Sequence, residues 1–117
     1  MVPGREAFRL GDILETITDI RGLLRGRELA DVERDRVVRD AFERFLEIIS
    51  EASRHLPEAM KGRHPDIPWR QIADLGNHLR HAYHRSDAEI LWNVYLHDLD
   101  ALESACRDLL GRADASG

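Results

Sequence analysis

Between Asn77 and Arg85 the chain concentrates side chains that move protons and hold phosphate. The run reads N-H-L-R-H-A-Y-H-R, with Asn77, His78, Arg80, His81, Tyr83, His84 and Arg85. Histidine titrates near neutrality, so it serves as a general acid or base. Arginine presents a fixed fork of donors that matches phosphate oxygens. Asn77 and His81 stand four apart, which makes them neighbours on a helix. Spacing alone leaves two readings of His81 open: a proton-transfer group, or an exposed or interface histidine without chemistry. His78, His81 and His84 form H-x-x-H-x-x-H, a pattern that invites a metal. Each step of three residues turns a helix by about 300°, so the three span a wide arc. No carboxylate triad adjoins them, and a metal site is not expected. Arg5, Arg9, Arg25 and Arg27 lie near the first helix among acidic residues and read as a solvated mixed-charge surface. No Walker loop, dinucleotide glycine fingerprint or nucleophile elbow occurs.

Helices must position these groups. Ile72, Leu75, Leu79 and Ala82 recur at helical spacing, which predicts a helix over Pro68–Tyr83 with Trp69 packed at its base. Asp74, Asn77, His78, His81 and Arg85 fall mostly on its other side. Gly76 is a lone glycine in this pattern. It costs about 1 kcal/mol relative to alanine, so close packing against another helix or a second subunit is a reason to have it. A first helix is expected from about Glu6 to Leu24, with Leu10, Ile13, Leu14, Ile17, Ile20 and Leu24 inward. Gly26 suits its stop. Asp31 suits the N-cap of a second helix reaching about His55. Val38, Ala41, Phe42, Phe45, Ile48, Ile49 and Ala52 cover a wide arc of it, which predicts more than one neighbour, a second subunit among the candidates. Pro57 ends that helix and suits the first turn of a short one, Pro57–Arg63. Ser86 and Glu89 have capping-box spacing. They predict a last helix from Asp87 to about Arg112, with Trp92, Tyr95, Leu96, Leu99, Leu102, Cys106, Leu109 and Leu110 inward. No stretch alternates like a strand. The expected fold is all-α, an antiparallel bundle of four to five helices forming one domain over residues 1–117.

Composition sets the outer bounds. The 117 residues are 43% hydrophobic and 33% charged, which fits a folded soluble chain rather than a disordered one. No apolar run approaches the roughly 20 residues of a membrane span. The N-terminus lacks a signal peptide's apolar core. A cytoplasmic location without membrane association is therefore expected. A net charge of −5 argues against broad nonspecific nucleic-acid binding but leaves room for a local basic cleft. Cys106 is the single cysteine, which excludes an internal disulfide, and its leucine neighbours make it a buried structural thiol.

Several segments also follow a shared order. They are L-P-E at Leu56–Glu58, H-P at His64–Pro65, I-P-W-R-x-I-A at Ile67–Ala73, N-x-L-x-H-x-Y at Asn77–Tyr83 and D-x-E-I-L-W at Asp87–Trp92. Together they resemble the HepT-like family of the HEPN superfamily over nearly the whole chain. The resemblance implies a HEPN-like helical bundle forming a two-fold homodimer, its motif helices facing each other across a cleft. It implies a metal-independent endoribonuclease acting on RNA without a cofactor. It also implies a toxin neutralised by a MntA-like nucleotidyltransferase antitoxin. On this resemblance His81 is the catalytic acid or base, one from each chain. Asn77 holds the imidazole tautomer or contacts phosphate, and Tyr83 is the residue the partner modifies with AMP. From the residues alone, Tyr83 reads equally as a helix-end ring packed on the bundle. The family's motif arginine falls at Gly76. Arg80 is the first candidate to replace it, and Arg70, Arg85 and His78 are further candidate phosphate contacts. Two other readings stand beside the nuclease: a catalytically weak HEPN bundle serving as binding or regulatory partner of a nucleotidyltransferase, and a helical interaction module with no RNA role.

Overall fold

A computed structural model describes residues 4–81 and 85–116, without the side chains of 78, 80, 81, 85–87 and 113–116. The described residues form α1 Arg5–Leu24, α2 Leu29–Arg34, α3 Arg36–Arg54, α4 Glu58–Lys61, α5 Trp69–His81, α6 Arg85–His97 and α7 Leu99–Ser116. The chain is an all-α bundle. Helix α3 packs against α1 and α5, and α1 also packs against α7. Through the bundle the order is therefore α5, α3, α1, α7. The wide apolar arc of α3 thus has more than one neighbour within the chain, although Ala41, Phe45 and Ile48 on it are only half-buried.

Two of the five expected helices are interrupted, which gives seven. The expected helix over 31–55 breaks at Asp35, whose backbone is extended. Its carboxylate accepts from the amides of Val37 at 3.0 Å and Val38 at 3.2 Å. A capping carboxylate competes with the helical ladder and restarts it. Asp31 is not the N-cap expected of it. It lies inside the first turn of α2, where its carboxylate accepts from the Glu28 amide at 2.7 Å and is held below its ordinary pKa by that bond. The expected helix over 87–112 breaks at Asp98, between α6 and α7. Here the apolar stripe runs Ala88, Leu91, Tyr95, Leu99, Leu102, Cys106, Leu109. Leu91 is fully buried and Leu96, expected inside, is 53% exposed. Leu96 lies one residue past Tyr95, about 100° around the helix from the stripe.

Chain stops follow local chemistry. Gly26 adopts φ 76°, open to glycine without strain, and ends the turn after α1. Pro57 precedes the first turn of α4 rather than occupying it, and α4 is shorter than expected. Helix α6 begins at Arg85, two residues before the expected start at Asp87, so Ser86 and Glu89 both lie within it; the Ser86 side chain of the expected capping box lies outside the described residues. Cys106 is fully buried, and burial pushes its thiol up to about 12, so it packs rather than reacts. No helix among the described residues is long and apolar enough to cross a membrane.

One ion-pair group ties the adjacent helices α1 and α7. Arg21 on α1 donates from Nη1 to Glu103 Oε1 on α7 at 2.9 Å, and it also binds Asp100. The Arg21 hydrogen bond holds the Glu103 carboxyl below the ordinary glutamate range, with Arg107 adding to the effect. The group is partly exposed, so we expect Glu103→Gln to cost about 0.5–1 kcal/mol at pH 7. A depressed carboxylate pKa contributes stability above the unfolded-state pKa and loses it as pH falls through the folded one. The difference between parent and variant should therefore be steady at neutral pH and shrink on acidification below the usual glutamate range. Urea titrations from pH 7 to pH 3 check this, and a gap that widens in acid would contradict it.

Candidate functional site

The site is built where α5 meets α3. The N-terminus of α5 is pinned by the loop before it. The carbonyl of Pro68 accepts from the Ile72 amide at 3.1 Å, which sets the first turn. Trp69 is 9% exposed, and its Nε1 donates to the His64 carbonyl at 3.0 Å, as its expected place at the base requires. His64 in turn pairs through Nε2 with Asp108 Oδ2 on α7 at 2.8 Å. Asp108 is held below the ordinary carboxylate range, first by His64 and then by Arg112. The loop and the helix it opens are thus fixed to the far side of the bundle.

Buried Ser50 fixes the register of α5 on α3. Its hydroxyl donates to the Ala73 carbonyl at 2.9 Å and accepts from the Gly76 amide at 3.0 Å. Gly76 is buried at this point. The glycine therefore sits in a close helix–helix approach within one chain, against α3. The residue at which the resemblance would place an arginine is used here for packing.

Asn77 follows Gly76 and is exposed. It lines a cleft of about 640 Å³ with Ala73, Asp74, Trp69 and Arg70 from α5, and with Arg54, Glu58 and Lys61 from the end of α3 and from α4. The structure thus brings together two of the residues singled out in the sequence, Asn77 and Arg70, on one wall. Beside Gly76 lies a second pocket of about 310 Å³, lined by α1 and α3 and including Arg9, Arg44 and Arg54. The backbones of His78, Arg80 and His81 belong to α5, with His81 its last residue, and Arg85 opens α6. The side chains of those four, and all of Tyr83 and His84, lie outside the described residues.

Sequence reasoning missed Ser50 and Arg54. Ser50 is a polar residue in an otherwise apolar arc, and that was its one available signal. Arg54 carries no signal of its own. Its relevance comes from the α3–α5 pairing, which no local pattern encodes. Chemically the cleft offers cations for an anionic ligand and an amide side chain able to donate or accept. Lys61 is engaged by Glu58 at 3.8 Å. Arg54 and Arg70 form no ion pair among the described residues.

Comparison with known proteins bears on what such a cleft does. The family model described as "Ribonuclease HepT-like" matches residues 13–109. A protein of Thermococcus cleftensis described as a "Probable ribonuclease HepT" is 38% identical over 94 residues, covering 80% of this chain and 86% of that one. Several relatives carry the description "putative RNase", among them two at over 30% identity across most of both chains. One, from Caldanaerobacter subterraneus subsp. tengcongensis, is 33% identical over 74% of this chain and 78% of its own. The other, from Methanocaldococcus jannaschii, is 31% identical over 92% of both. No solved structure gives a significant match. With the family model spanning most of the bundle, including α5 and its cleft, the chain belongs to the HepT-like ribonuclease family.

Proposed function

We propose that this chain is a metal-independent endoribonuclease that acts as the toxin of a toxin–antitoxin pair in the cytoplasm. The working unit is a homodimer of single-domain subunits, with the two α5 helices facing across the RNA. Metal-free cleavage requires three things: the ribose 2′-hydroxyl deprotonated, the leaving 5′-oxygen protonated, and the charge on the phosphorane stabilised. His81 from each chain supplies acid and base. Asn77 orients the imidazole or binds phosphate, and nearby arginines carry the charge term, with Arg80, Arg70, Arg85 and His78 as candidates. A nucleotidyltransferase antitoxin neutralises the toxin by complex formation and by adding AMP to Tyr83. The added phosphate would repel RNA and fill space beside His81.

The observation that carries this reading is the cleft itself. Asn77, one helical turn before His81, shares a cavity with Arg54, Lys61 and Arg70 in a chain whose net charge is negative. The test is cleavage of a varied RNA pool by purified protein in the presence of chelator, with intact mass confirming that Tyr83 is bare. Cleavage is expected. A bare, folded dimer that leaves every RNA intact would remove the nuclease reading. Gly76 favours the second reading, a weak or inactive bundle that serves as binding partner of a nucleotidyltransferase. Its place in the family motif is given to packing on Ser50.

A further inference from the structure

We infer that Arg54, at the end of α3, holds an RNA phosphate at the cleft in place of the side chain that Gly76 lacks. The inference rests on the nuclease reading above and names the residue that completes its charge term.

Transesterification at phosphorus builds negative charge on the phosphoryl oxygens, and a cation fixed beside them lowers the barrier. On α5 the position before Asn77 has no side chain, and its amide is turned to Ser50. A guanidinium for this place must therefore come from another element. Among the described residues, Arg54 alone lines both the pocket beside Gly76 and the cleft that holds Asn77. Its placement follows from register. Ser50 and Arg54 are four apart on α3, so they lie in one row along the helix. Ser50 is bonded to Ala73 and Gly76 on α5. One turn further along α3, toward the first turns of α5, Arg54 lines the cleft with Trp69 and Arg70, and Asn77 lines the same cleft.

Arg54 is also available. It is exposed, and its side chain forms no hydrogen bond or ion pair among the described residues, whereas Arg44 in the neighbouring pocket is held by Glu47 at 3.4 Å. An unpaired arginine offers its fork to a phosphate without first breaking a salt bridge. The charge balance of the cleft depends on it. Arg54, Lys61 and Arg70 face Glu58 and Asp74, three cations against two carboxylates. Without Arg54 the cleft is neutral and has lost its attraction for an anion.

The test uses full-length, unmodified protein with two RNA probes, a cleavable strand and its fully 2′-O-methylated counterpart, which cannot be cleaved. Arg54→Ala should lower the single-turnover cleavage rate by about 100-fold, the effect of removing one transition-state donor. It should weaken binding of the methylated strand several-fold. The slope of log affinity against log salt should fall by about 0.7, the contribution of one phosphate contact on a single strand. Arg54→Lys should recover part of both effects. Arg36→Ala, which removes the same charge from the other end of α3, should leave both at the parental level. Parental cleavage by Arg54→Ala overturns the assignment and leaves the nuclease reading in place. If the parent itself does not cleave, the nuclease reading fails. The methylated strand then decides for Arg54, and parental affinity and salt slope in Arg54→Ala overturn it.

Discussion

Replacing His81 by alanine is expected to reduce RNA cleavage by about 10²–10⁴-fold, the usual contribution of a positioned general acid or base. His81 is the last residue of α5, and the helix carrying it is anchored to the rest of the bundle. The anchoring comes from Trp69 at one end and from Ser50 in the middle, bonded at 2.9 and 3.0 Å to Ala73 and Gly76. A proton-transfer group gains from such a support, because misplacement by about 1 Å can cost 10²-fold. In a two-fold dimer the substitution removes acid and base together, so the loss should sit near the upper end of the range. His81→Ala should keep the parent's circular dichroism and unfolding midpoint, since the buried stripe of α5 is made by Ile72, Leu75 and Leu79. A variant that keeps the parental rate would mean that the chemistry lies elsewhere on α5 or is absent.

The apolar stripes of α1 and α5 were legible in the sequence because each is one uninterrupted amphipathic segment. Leu10, Ile13, Ile17, Ile20 and Leu24 are all fully buried, and Ile72, Leu75 and Leu79 are buried as expected. The breaks at Asp35 and Asp98 were not legible. An aspartate inside a periodic pattern looks like a solvent-facing residue. Only the geometry shows the Asp35 carboxylate taking two amides. The same limit governs the site. Asn77 and Arg70 could be picked by type and position, because they lie on one helix. Arg54 could not, because its partner surface on α5 is about fifteen to twenty-three residues away in sequence and is set by how α3 lies on α5. Gly76 shows the point from the other side. The sequence suggested close packing there, and the contact proves to be Ser50 of the same chain, a pairing that local propensity cannot name.

Phe42→Ala is expected to cost about 3–5 kcal/mol of stability, the range for removing a large aromatic ring from a packed core. Phe42 is fully buried on α3, the helix between α1 and α5. Its ring meets Tyr95 of α6 edge-to-face, with centroids 6.4 Å apart and planes at 80°. Tyr95 in turn packs on Trp92 at 5.0 Å. An edge-to-face pair adds about 0.5–1.5 kcal/mol beyond area burial, so the loss should exceed that of an aliphatic residue of similar depth. A chain of this size has about 5–15 kcal/mol in total, and the variant should be close to unfolding at growth temperature. Val37, five residues earlier on the same helix, is 75% exposed. Val37→Ala should change stability by no more than about 0.5 kcal/mol. Urea unfolding of the three proteins at equal m-value makes the comparison. A Phe42→Ala loss under about 1 kcal/mol would show that α3 does not meet α6 through this ring. The placement of α3 decides where Ser50 and Arg54 lie, so the same result would unseat the cleft. A large loss at Phe42 with none at Val37 fixes the rotation of α3 about its axis, and with it the face that α3 presents to α5.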